Sequence, residues 1–176
     1  MSPRPEHASR FEAWWAEHRG IVVKVARSFA SDPADAADLQ QEMLMRLWSS
    51  LSSFAGQSKP STWIYRVCLN TALTWRRSRI RRDRHHEPGV DIGEVPADTA
   101  SPADQAGDRE SLERLYAAIH ALPKFERAVV LLALDGLAYR EMAEITGLTE
   151  NHVGVVLTRA RKRLAELMKG TLHELG

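Results

Sequence analysis

The sequence predicts an all-α protein of two small helical domains: a three-helix bundle, then a four-helix domain with a helix-turn-helix, joined by a flexible acidic linker. Three observations lead there. Apolar residues recur at three- and four-residue steps through segments of helix length, as in Leu39, Leu44, Leu47, Trp48 and Leu51. One stretch, 85–107, breaks that pattern with Pro88, Gly89, Gly93, Pro96 and Pro102 and carries no aromatic to seed a core. Charge is also segregated. Arg76 to Arg84 holds six arginines against one aspartate, and Arg159-Ala160-Arg161-Lys162-Arg163 forms a second cluster. Between His86 and Asp108 there is no Lys or Arg, while Glu87, Asp91, Glu94, Asp98 and Asp104 are acidic. A length of 176 residues suits one domain or two small ones. The formal net charge of +1 says nothing about partners. Two basic islands across an acidic bridge point to two nucleic-acid contacts on one chain. Either island by itself is more often a solvated helix face.

In chain order, residues 1–10 read as a flexible tail. A helix follows from about Phe11 to Ala30, with Trp14, His18, Ile21, Val22, Val25 and Phe29 inward. Ser31-Asp32-Pro33 ends it, and Asp32 or Asp35 can accept the free amides of the next helix. That helix carries the Leu39–Leu51 stripe. The loop Ser52–Ser61 holds turn formers, a glycine and one aromatic, Phe54, read here as exposed; such a surface suits holding a flipped-out base. The third helix places Ile64, Val67, Cys68, Thr71 and Trp75 on one face and runs through Arg76 toward Arg84. The first domain is thus 11–84. The linker of 85–107, drawn taut at about 3.3–3.6 Å per residue, spans a duplex of a comparable number of base pairs. A relaxed coil of that length averages only about 25 Å, so a partner must hold it extended for both domains to reach one site.

The second domain, 108–176, opens with the stripe Leu112, Leu115, Tyr116, Ile119 and Leu122. Pro123 starts a helix whose run from Ala128 to Leu134 is apolar on most sides, stopping at Gly136. Tyr139–Thr146 is a short helix, Gly147 the turn, and Thr149 the cap of a long helix from Glu150 to about Met168. Ala143, Gly147 and Val153 sit where a helix-turn-helix needs a small residue, a left-handed turn and an apolar anchor. Its second helix enters the major groove.

Other function classes find little support. One cysteine, Cys68, excludes an internal disulfide framework and fits a reducing cytoplasm, the expected location. It lies on an apolar helix face and reads as a small buried hydrophobe. With His85-His86 it does not make a zinc spacing. The polar, proline-containing first ten residues predict no signal peptide, and no run is long enough to span a membrane. No paired carboxylates, phosphate loop or nucleophile with a base are in evidence, so neither an enzyme nor a cofactor is expected.

Particular strings go further. Asp38-Leu39, Gln41-Glu42, Arg46-Leu47-Trp48, Phe54-x-Gly56, Thr62-Trp63-Ile64-Tyr65-Arg66, Asn70 and Arg76-Arg77 resemble region 2 of the extracytoplasmic-function sigma factors, two-domain bacterial transcription initiation factors. Leu122-Pro123, Gly136 to Ala143 and Arg159 to Leu164 resemble region 4 of the same family, and order and separation agree. The resemblance implies a protein that binds core RNA polymerase through the clamp helices of the largest subunit and the flap of the second-largest. It would read promoter DNA both as single strand and as duplex, with an anti-sigma factor as a further candidate partner. Carried over by position, Asp38, Leu39, Gln41, Glu42, Arg46 and Trp48 would dock on polymerase. Phe54, Gly56, Gln57, Ser58 and Lys59 in the loop, with Thr62, Trp63, Arg66, Asn70, Arg76 and Arg77 after it, would hold the minus-ten element. Thr149, Asn151, His152, Val155 and Thr158, backed by Arg159, Arg161 and Lys162, would read the minus-thirty-five element.

The chain departs from the family in two places. Ala138 replaces the usual Ser or Thr, which costs a helix cap worth about 1 kcal/mol. Gly154-Val155-Val156 replaces a common Lys-Ser-Arg, removing two phosphate-seeking charges and placing a glycine, costing roughly 1 kcal/mol against Ala, inside the recognition helix. The alternatives are a stand-alone helix-turn-helix regulator with an N-terminal interaction domain, and a pure protein-interaction bundle. A sensing domain would not need the Asp-Leu-x-Gln-Glu string or the Phe-x-Gly loop.

Overall fold

Proline placement explains where three of the helices begin. In the computed structural model, which describes residues 5–82 and 104–173 and the side chains of 8–75 and 109–169, α1 spans Pro5–Phe29, α2 Pro33–Ser50 and α3 Pro60–Arg82. A proline in the first turn gives up an N–H that has no intrahelical partner anyway. α1 therefore starts at Pro5, inside the stretch expected to be a tail. Asp32 caps α2, its Oδ1 accepting the Asp35 N–H at 2.8 Å. A single 3-10 turn, Leu51–Ser53, leads from α2 into the loop.

The second unit follows as α4 (Asp104–Ala121), α5 (Lys124–Leu134), α6 (Tyr139–Thr146) and α7 (Glu150–His173). The start of α4 falls within the stretch read as linker; the rest of that stretch lies outside the described residues. Pro123 sits at the cap of α5 rather than within it. All residues from Glu126 to Leu132 are buried, as the apolar run requires of a central helix. At its end Gly136 takes φ +73° and the Leu137 N–H reaches back to Leu132 O at 3.2 Å, a Schellman closure. Gly147, with φ +74°, makes the turn of the helix-turn-helix, and Thr149 Oγ1 accepts the His152 N–H at 3.2 Å to cap α7. Val153 is fully buried as its anchor. Among the described residues there is no strand.

Each unit has its own core: Val25, Leu39, Met43 and Cys68 in the first, Val129, Leu132, Met142, Val153 and Leu157 in the second. Met43, not Leu44, takes the innermost place on α2, one helical position from the expected stripe. Leu112, expected inside, is exposed. The two cores are continuous, because α1 packs on α4 and α5 while α3 packs on α6. Arg127 of α5 is buried there. It donates to Ser28 O at 3.2 Å, Leu122 O at 3.0 Å and His120 O, and its guanidinium lies 5.0 Å from the Phe29 ring.

Candidate nucleic-acid interface

The outer edge of α2 shows how packing sorts residues that spacing leaves mixed. Leu39 is fully buried and the Trp48 ring stands edge-on to Phe11 at 5.1 Å, so both hold the helix in place. Asp38 and Arg46 are exposed, and Glu42 accepts from Arg46 Nε at 3.2 Å within the helix. Met45, 60% exposed, continues this edge. Periodicity could have found it, since Met45 lies four residues beyond Gln41.

Phe54 corrects the reading of the loop. Its ring contacts Trp14 at 4.9 Å and Trp63 at 5.5 Å, with Arg10 stacked over both Phe54 and Trp14. It is a half-buried anchor, not an exposed stacking platform, because three aromatic faces bury more apolar area together than water-exposed singly. The cleft beneath the cluster has about 20 Å³ of free space, room for a water but not a base. What the loop offers outward is Ala55, Gly56 and Gln57, with Ser58 half-buried. Gly56 takes φ +72°, a left-handed turn that strains any residue with a Cβ. Thr62, expected to face DNA, is buried at the first turn of α3, whereas Asn70 is exposed. Arg76 and Arg77 belong to α3, but their side chains lie outside the described residues.

Lys59 and Arg66 are engaged by the other unit. Lys59 Nζ lies 2.7 Å from Glu141 Oε1. Arg66 Nη2 donates to Glu144 O at 2.9 Å, with Glu144 Oε1 at 3.5 Å. The Lys59 hydrogen bond, then the Ala138 N–H, hold the Glu141 carboxyl below its usual range, and the Glu141 hydrogen bond and charge raise Lys59. The depressed carboxyl favours the pair above the ordinary carboxylate range and loses it as pH falls. The raised amine favours it below the ordinary lysine range and loses it as pH rises. Buried Cys68 is pushed up to about 12 by desolvation and stays a thiol. No group of side chains with metal-binding character occurs among the described residues.

On α7, Asn151, His152, Val155 and Thr158 are exposed, as are Arg159, Arg161 and Lys162. The Thr158 hydroxyl donates to Gly154 O at 2.9 Å, and Thr149 is committed to its cap. Arg163 instead pairs with the buried Glu126 at 3.2 Å. Gly154 faces the Tyr139 ring of α6: a Cβ there would sit 3.4 Å from Tyr139 Cε2, in ordinary van der Waals contact. Together with Glu150, Asn151, Val155 and Thr158, these two residues line an open trough of about 670 Å³. Val156 is only 9% exposed and belongs to the core, so an arginine there could not simply restore a phosphate contact. Ala138 offers no side-chain acceptor, but Glu141 Oε2 accepts its N–H at 3.1 Å and supplies the reciprocal half of a capping box.

Residues 14–82, from α1 through α3, match sigma-70 region 2, and residues 112–164, from α4 into α7, match sigma-70 region 4. The chain belongs to the extracytoplasmic-function sigma factors. It is 32% identical to the ECF RNA polymerase sigma factor SigG of Mycobacterium tuberculosis, over 92% of this chain and 50% of that protein. The chain thus spans about half the length of that relative. It is 29% identical to the ECF RNA polymerase sigma-E factor of Haemophilus influenzae, over 74% of this chain and 72% of that one. In fold it is similar to the sigma factor RpoE of Bartonella quintana, solved with the anti-sigma factor NepR, with a TM-score of 0.67 and 26% identity over 91% of this chain and 97% of that one. The region 2 match removes the reading in which the first unit of this sigma factor is a sensing module. No helix among the described residues is long and apolar enough to cross a membrane.

Proposed function

We propose that this chain binds core RNA polymerase and directs promoter recognition and melting. The observation that carries the reading is the presence of regions 2 and 4 on one chain, in that order, with 85–107 between them. The edge of α2 from Asp38 to Arg46, with Met45, docks on the clamp helices of the largest subunit, and the second unit docks on the flap of the second-largest. The loop from Ala55 to Lys59, steadied by Phe54, receives unpaired bases of the minus-ten element. Asn70, Arg66 and the arginines at the end of α3 hold the adjoining strand. Capture of unstacked bases favours the melted state without any bond being made or broken. The trough and exposed cations of α7 receive the minus-thirty-five duplex. Three remaining phosphate contacts, from Arg159, Arg161 and Lys162, make that binding weak without tethering through polymerase. The work is cytoplasmic, and an anti-sigma factor is a further partner.

Run-off transcription with purified core polymerase, scored for start sites, tests the whole reading; no initiation on any promoter of a genomic library would sink it. Replacing Ala55-Gly56-Gln57-Ser58 with an equally long Gly-Ser string, Phe54 being kept, tests the loop. The polymerase complex should persist while permanganate reactivity of promoter thymines disappears.

A further inference from the structure

The two DNA surfaces are joined to each other. Lys59, the residue before α3, whose carbonyl accepts the Trp63 N–H at 3.1 Å, stands seven residues from Arg66, and Glu141 and Glu144 lie one turn apart on α6. Two cations therefore meet two carboxylates in register, at 2.7 Å and 3.5 Å, with Arg66 also on the Glu144 backbone at 2.9 Å. Four further contacts lie elsewhere along the seam between the units. Lys24 pairs with Asp135, Lys124 donates to Leu73 O at 3.4 Å, Arg127 donates to Ser28 O at 3.2 Å, and the Arg27 guanidinium lies 4.4 Å from the Tyr116 ring. Each of them joins the first unit to the second.

We infer that α6 is a built-in competitor for the strand-binding cations: in the free chain Glu141 and Glu144 occupy Lys59 and Arg66, and single-stranded DNA binds only once this clasp opens. The inference rests on the reading of Lys59 and Arg66 as DNA contacts. A carboxylate offers the same charge and acceptor oxygens that a phosphate would, so one set of cations cannot serve both. Promoter geometry demands the opening. The minus-ten and minus-thirty-five elements are centred about 25 base pairs apart, which at about 3.4 Å per pair is roughly 85 Å. In the closed form the loop and the helix-turn-helix are in contact. Exposed ion pairs contribute little individually and are screened by salt. A polyanion, or a partner that favours separated units, can therefore displace them.

A carbodiimide forms an amide between an amine and a carboxylate in direct contact, with loss of water. Treating the full chain should join Lys59 to Glu141, identified by mass spectrometry of the digest, and high salt should suppress the product. Absence of that cross-link at low salt would overturn the inference. The second arm is the double variant Glu141→Gln with Glu144→Gln. Glutamine keeps the acceptor that caps α6 while removing both charges. Binding of a fluorescein-labelled oligothymidylate to the free chain should tighten roughly tenfold, equivalent to about 1.4 kcal/mol. A control variant with the same net charge, Glu113→Gln with Glu166→Gln, should change it far less. Equal effects in the two variants would overturn the clasp as a specific device. Run-off transcription by the wild-type holoenzyme reports separately on the promoter reading, because the cross-link in the free chain does not depend on it.

Discussion

The two units hold their candidate DNA contacts in opposite ways. In the first, the aromatic residue nearest the loop tip is packed inward between Trp14 and Trp63, and the cations beside it, Lys59 and Arg66, are paired with carboxylates. In the second, Arg159, Arg161 and Lys162 are exposed, and the trough between α6 and α7 presents the Tyr139 ring and Val155, with no Lys or Arg from Glu150 to Thr158. The first surface is packed and masked; the second is open and weakly charged. Affinity in the one is limited by what must be released, and in the other by how few charges are offered.

The contrast can be broken most severely by Val156→Arg. The family pattern invites this change, but Val156 is buried, so it should cost about 3 kcal/mol or more through an unpaired charge at the α7 core. Chemical denaturation would show it, and an unchanged midpoint would mean that Val156 faces water. Next in size is Phe54→Ala. Losing a half-buried ring from an aromatic cluster should destabilise the first unit by about 2 kcal/mol. Tyr139→Ala, which removes an exposed ring, should shift the same midpoint by less than about 1 kcal/mol. Equal losses would erase the distinction between an anchored and an open surface.

Val155→Lys sharpens the comparison with little effect on stability, because Val155 is 51% exposed. It should tighten duplex binding and add roughly one unit to the slope of log affinity against log salt. The smallest effect is expected at Cys68. With its thiol pushed up to about 12 and fully buried, it should resist an aromatic disulfide reagent at neutral pH until the first unit opens. Its labelling rate then reports that opening apart from the second unit, which has no cysteine.

Helices, caps and the helix-turn-helix were legible in the sequence because they depend on neighbours within a few residues. Asp32 caps α2, Thr149 caps α7, and Gly136 and Gly147 take the left-handed turns that their positions required. The family strings likewise marked the two regions. Tertiary structure alone decided which side of a short segment faces inward: Phe54 and Val156 went in, and Val155 and Met45 stayed out. It also decided the pairings. Glu126 meets Arg163 across 37 residues, and Glu141 meets Lys59 across 82. Helical periodicity states that residues share a face, but not what that face will meet. That depends on how whole helices pack, and a pair so distant in sequence forms only after the packing has closed the loop between them.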